Sequence, residues 1–143
     1  MKGKRIRGSG QDGAVAVEFA LIFPILALLV VGIIQFGIMW SEYQVMQGAA
    51  REGARCAATQ AAGFSSCSVT DRVDAALPGG YTRSNPVSVS VEGGGSACTG
   101  TSTIGKNVTV SWTQQFGTGV LNNLVPGFPD TITRDISGTF RCE

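Results

Sequence analysis

The alternation of apolar and polar positions divides the chain into stretches of different period. Residues 1–13 (MKGKRIRGSGQDG) are polar, basic and glycine-rich, and read as a leader that does not fold alone. Phe19 to Trp40 is 22 residues without a formal charge. At the α-helical rise this run is ~33 Å long, close to the ~30 Å hydrocarbon core of a bilayer. A secretory signal has an apolar core of about 7–15 residues, and no small-x-small cleavage pattern follows this run. The pattern therefore predicts a transmembrane helix over residues 14–40. Trp40 and Tyr43 fall where an aromatic belt would meet the outer interface. Pro24 removes one backbone donor, while Gly32 and Gly37 would let another helix approach closely.

Residues 41–62 continue in helical style outside the membrane. Val45, Met46, Ala49, Ala50, Gly53, Ala54 and Ala57 form a small-residue stripe at spacings of three and four. Arg51 and Arg55 lie on another face with Glu52 beside them. The simplest expectation is one helix from about residue 14 to about residue 60, some ~70 Å long, which Gly63 would end.

Residues 63–143 predict a small extracytoplasmic domain. A short helix is expected over residues 70–77, capped by Thr70 or Asp71 and stopped by Pro78-Gly79-Gly80. Three period-two segments follow. The first is residues 87–91. The second is residues 107–116, with Val108, Val110, Trp112 and Phe116 on one face. The third is residues 131–142, with Ile132, Ile136, Phe140 and Cys142 on one face. Such patterning marks half-buried antiparallel strands. Loops at 93–105 and 117–130 separate them. The expected fold class is α+β: a long N-terminal transmembrane helix, then a short helix and an antiparallel sheet of about three strands.

Charge adds orientation. Lys2, Lys4, Arg5 and Arg7 face only Asp12 in the first 13 residues, whereas the remainder carries seven basic and nine acidic side chains. Positive charge before an apolar run places the N-terminus in the cytoplasm and the C-terminal domain outside. No basic patch lies elsewhere, which argues against nucleic acid as a partner.

Cys56, Cys67, Cys98 and Cys142 all follow the apolar run and so lie on the exported side. An even count there favours two disulfides over free thiols. Of three possible pairings the expected one is Cys56–Cys67, closing a short loop after a helix, with Cys98–Cys142 tying the last strand to an earlier loop. With no histidine in the chain, no histidine-based triad can be assembled, and scattered thiols without a Cys-x-x-Cys pair argue against a zinc site. Asp71 and Asp74 read as solvated caps, and Gly93-Gly94-Gly95 lacks the Lys-Ser/Thr of a phosphate loop. Neither an enzyme nor a cofactor is expected.

The chemistry concentrates in Gly13-Ala14-Val15-Ala16-Val17-Glu18-Phe19. Cleavage after Gly13 would give Ala14 a free amine with a reference pKa near 8. Glu18 stands one turn further on, at the lipid boundary, where a lone carboxylate is costly unless paired. A neighbouring subunit's amino terminus would supply that pair and set the axial register. The bland alternative is that Glu18 snorkels to water or to the leader's own cations.

The run GAVAVEFALIFPILALLVVGIIQFG resembles the N-terminus of the TadE-like family, the pseudopilins of the tight-adherence (Tad) pilus system. AAREGARCAA (Ala49 to Ala58) is similar to that family's post-membrane helix, and the closing strand–loop–strand also looks like it. The resemblance implies processing between Gly13 and Ala14 by an aspartyl prepilin peptidase of the inner membrane. It implies assembly through Glu18 and Phe19, and partners among other pilins, pseudopilins and the inner-membrane assembly platform. The role implied is that of a minor type IVb pilin in pilus initiation or assembly. The folded C-terminal domain departs from the major pilins of that system, which are essentially a single helix. A second class of function is an uncleaved, membrane-tethered binding or adhesion module.

Overall fold

The computed structural model describes residues 10–60 and 67–143. Its elements are α1 (Gly10–Thr59), α2 (Val69–Ala76), β1 (Ser88–Val91), β2 (Asn107–Gly117), α3 (Leu121–Leu124) and β3 (Thr131–Arg141). The architecture is the α+β one expected: a long apolar helix followed by a small domain with an antiparallel sheet.

α1 is one helix of 50 residues and passes through Pro24 without interruption. It begins at Gly10, so it includes the last four positions of the expected leader. Gly63, expected to end it, lies outside the described residues.

The sheet has the order β1-β2-β3, antiparallel throughout. β2 is central, and its register with β3 runs from Asn107↔Arg141 to Gly117↔Thr131. Val108, Val110, Trp112, Gln114 and Phe116 alternate onto the buried face. That face lies on the small-residue stripe of α1. Met46, Ala49, Ala50, Ala54, Ala57 and Ala58 are all buried there and form one core with β2, Ile136 of β3 and Val73 of α2. Small side chains on the helix let the sheet come close, which is what a domain with few large apolar residues needs to exclude water.

β3 runs alongside α1 in the same direction. Ile132 lies with Gln35 and Met39 at one end. Gly138 rests on Ala50 midway, and the amide of Glu143 donates to the carbonyl of Ala58 at the other end. The domain thus covers α1 from about Gly32 to Ala58, a rise of ~39 Å.

Four details differ from the sequence expectation. The N-cap of α2 is Ser68, whose Oγ accepts from the Asp71 amide at 3.3 Å, so neither Thr70 nor Asp71 caps it. The helix starts earlier because Val69 packs onto the core beside Gly53. Asp74 is not a cap but an ion-pair partner of Arg83. The 117–130 connection contains the short helix α3. Phe140 keeps the parity of Ile136 yet is 41% exposed, since β3 is an edge strand with no neighbour to cover its outer side.

Both expected disulfides are present, Cys56–Cys67 and Cys98–Cys142. The first joins the end of α1 to the residue before the α2 cap. The second joins the loop after β1 to the end of β3.

Candidate functional site

Two surfaces of α1 carry the candidate chemistry. The first is its N-terminal part. Gly13, Ala14, Glu18 and Phe19 are all exposed on the helix. Ala14 and Glu18 are four residues apart, so their side chains share one face, a turn from each other. Between Ala14 and Ser41, Glu18 is the one charged residue. Glu18 stands 14 positions, or ~21 Å of helix, below Gly32, the lowest point the domain covers.

From Val15 to Ile38 the large apolar side chains project outward on every side of the helix, Leu21 and Ile25 being 70% exposed. None of the most apolar stretch of α1 is buried within the molecule, and the helix is long and apolar enough to cross a membrane. A soluble core helix would bury this surface against its own chain. A Cβ added at Gly13, Gly32 or Gly37 would meet nothing; Gly13 and Gly37 are exposed and leave room for another molecule, while Gly32 faces the cleft under the chain's own 117–130 loop. Phe19 stacks obliquely on Phe23, ring centroids 5.4 Å apart.

The second surface is where helix and domain meet. Phe36, Trp40, Tyr43 and Phe116 form a ladder of rings at centroid spacings of 6.1, 5.9 and 6.2 Å. It carries the expected interfacial aromatics, Trp40 and Tyr43, up into the sheet. Phe36, Met39, Trp40, Tyr43 and Phe116 line a cleft of about 350 Å³ with Arg134 at its edge. A second cleft of about 320 Å³ lies between Gly32, Gln35, Phe36 and Met39 of α1 and the loop carrying α3. Gly119, with φ +60, sits against the Gln35 amide, so an added side chain would push that flexible amide aside and strain the backbone.

The polar positions that hold this end together were not singled out from sequence. Gln114 is 5% exposed on the core face of β2. Its Oε1 accepts from the Ser84 amide at 3.0 Å and from Trp112 Nε1 at 3.2 Å, and its Nε2 donates to the Thr82 carbonyl at 3.3 Å. Thr118 is buried and donates through Oγ1 to the carbonyls of Pro129 and Asp130. Gln114 is detectable in sequence only as an amide that breaks the apolar alternation of Val108-Val110-Trp112-Phe116.

Among the described residues two ion pairs lie on the C-terminal domain and the helix it covers. Arg72 of α2 holds Glu52 of α1 at 2.7 Å. Arg83 meets both carboxylate oxygens of Asp74, at 2.6 and 2.8 Å. These hydrogen bonds, helped by the guanidinium charge, hold the Asp74 carboxyl below the usual carboxylate range and raise the Arg83 pKa.

Residues 13–55 match the family model described as TadE-like protein. Nothing among curated proteins or solved structures matches the chain. The match covers the whole of the exposed apolar stretch and most of the docking stripe, and it stops before α2 and the sheet. Over residues 13–55, under a third of its length, the chain is similar to the TadE-like family.

Proposed function

We propose that the chain is a minor pilin or pseudopilin of a Tad-type pilus. A prepilin peptidase cuts it after Gly13, and it acts in the initiation or assembly of the filament. The observation that carries the reading is one exposed acid, Glu18, in the otherwise uncharged, outward-facing apolar stretch of α1 from Ala14 to Trp40. After cleavage the Ala14 amine lies one turn from Glu18 on the same chain and partners it there. In the assembled filament an adjacent subunit's amine takes its place, because a buried carboxylate is tolerated in lipid or between helices only when paired. Residues 14–40 pack side by side with other pilin helices, with exposed Gly37 admitting close approach. The helix crosses the inner membrane with its basic end in the cytoplasm, in keeping with the four cations of the leader. The domain stands outside, where disulfides form.

One observation favours a second reading, an uncleaved tether for a binding or adhesion module. α1 continues unbroken from Gly10 through Gly13, so the bond to be cut lies within a helix. The two glycines weaken that turn by about 1 kcal/mol each relative to alanine, which lets a peptidase open it.

The test is Gly13→Leu, with processing and surface pili followed in the same cells. Processing stops and piliation falls if the reading holds. Unchanged processing removes it and leaves the tether.

A further inference from the structure

We propose that the loop carrying α3 is an interfacial wedge that seats the domain on the outer leaflet of the lipid bilayer. This inference rests on the reading that α1 crosses a membrane.

The level of the loop follows from helix geometry. Gly119 lies against Gln35, and Leu121, Phe128 and Ile132 lie beside Gly32, Phe36 and Met39. Gln35 is inside the uncharged run, five residues or ~7.5 Å below Trp40. A hydrocarbon core of ~30 Å counted from Glu18 reaches about residue 38, and helix tilt carries it slightly further. The loop is therefore level with the outer edge of the hydrocarbon and cannot avoid it while the helix is embedded.

The loop is chemically suited to that place. Residues 116–129 (FGTGVLNNLVPGFP) contain no charge. Val120 and Leu124 project from it, each 48% exposed. Its backbone is largely satisfied from within. The amides of Asn123 and Leu124 donate to the Val120 carbonyl, Val125 to Leu121, and Phe128 to Val125. Thr118 Oγ1 holds the carbonyls of Pro129 and Asp130, and Asn122 Nδ2 donates to Asp130 Oδ1 at 2.7 Å. Internal pairing of this kind lowers the cost of entering a medium with little water, Asn122 Oδ1 being the one buried side-chain acceptor among the described residues left without a partner. Arg134 stands just above, beside Trp40, within reach of lipid phosphates, as interfacial arginines and tryptophans do.

The experiment uses the full chain in phosphatidylcholine vesicles, with bromines placed near the headgroup end or near the middle of the acyl chains. Leu124→Trp, Leu28→Trp and Ser102→Trp are each made in a Trp40→Phe background. Buried Trp112 stays as a constant baseline. The wedge predicts that Leu124→Trp emission is lost to the shallow bromines, Leu28→Trp emission to the deep ones, and Ser102→Trp emission to neither. If Leu28→Trp is quenched while Leu124→Trp is not, the wedge is overturned and the crossing stands. Blue-shifted but unquenched Leu124→Trp emission means that protein, not lipid, covers the loop, and also overturns it. If Leu28→Trp itself is unquenched, the crossing fails and takes the wedge with it.

Discussion

Gly138 of β3 lies directly on the helix backbone at Ala50, so close that a Cβ at 138 would strike the Ala50 carbonyl group and the Arg51 nitrogen. The contact is backbone to backbone, and neither side can rotate out of the way. It fixes the separation of sheet and helix in the middle of the domain. It also explains why Ala49, Ala50 and Ala54 are small: the stripe is used by the chain's own sheet, not by another subunit.

Gly138→Ala is therefore expected to cost about 3 kcal/mol through overpacking. Gly48 offers the control, since a Cβ there meets nothing and the position is helical and exposed. Gly48→Ala should raise stability by about 0.5–1 kcal/mol. Thermal unfolding of the two variants in detergent, followed by circular dichroism, should move in opposite directions. Equal shifts would contradict the close approach.

The two disulfides should differ in weight. Cys98–Cys142 spans 44 positions and Cys56–Cys67 spans 11. On loop-closure entropy, losing the first costs about 4 kcal/mol and losing the second about 3. The paired alanine variants, Cys98→Ala with Cys142→Ala and Cys56→Ala with Cys67→Ala, should unfold in that order in urea. The reverse order would mean that native contacts at the end of α1 outweigh chain entropy.

Gln114 should behave as a structural amide. Gln114→Leu keeps much of the volume but leaves Trp112 Nε1, the Ser84 amide and the Thr82 carbonyl without their partner. An expected loss of about 2–3 kcal/mol follows from stranding buried polar groups. Trp112 emission should shift as its ring nitrogen loses its acceptor. An unchanged spectrum and an unchanged unfolding midpoint would refute the role.

The Asp74–Arg83 pair gives the outer domain a mild acid sensitivity. Asp74 titrates lower in the folded chain than when unfolded. Its contribution is thus full above the ordinary carboxylate pKa and is lost as pH falls through the lower, folded value. Asp74 is half exposed, so the effect is at most about 1 kcal/mol and weakens with salt. Asp74→Asn should lower the unfolding midpoint at neutral pH and leave it unchanged in strong acid. A difference that grows toward low pH would have the wrong sign.

Much of this fold could be read directly from residue patterns. Twenty-two uncharged residues and a 2.0-residue period in residues 107–116 each leave few structural choices. The favoured disulfide pairing, one of three, rested on a short loop after the first helix and a tie from the last strand to an earlier loop, and both bonds are present. The less legible features depend on tertiary contacts that have no local period. Ser68 was missed as a cap because Val69 joins the core only once Gly53 is beside it. α3 escaped notice because four residues, Leu121–Leu124, are too few to show helical periodicity. Gly138 could be seen in the sequence, but nothing local distinguishes a glycine required by a helix behind it from one that merely ends a pattern.

The proposed function requires that proteolysis after Gly13 create a charged terminus which Glu18 then meets. Intact mass of the protein extracted from membranes of pilus-producing cells tests it most directly. The expected result is a chain beginning at Ala14, and in Glu18→Ala a chain cut at the same place but absent from filaments. A chain that retains Lys2, Lys4, Arg5 and Arg7, or a Glu18→Ala subunit that assembles as well as the parent, would contradict it.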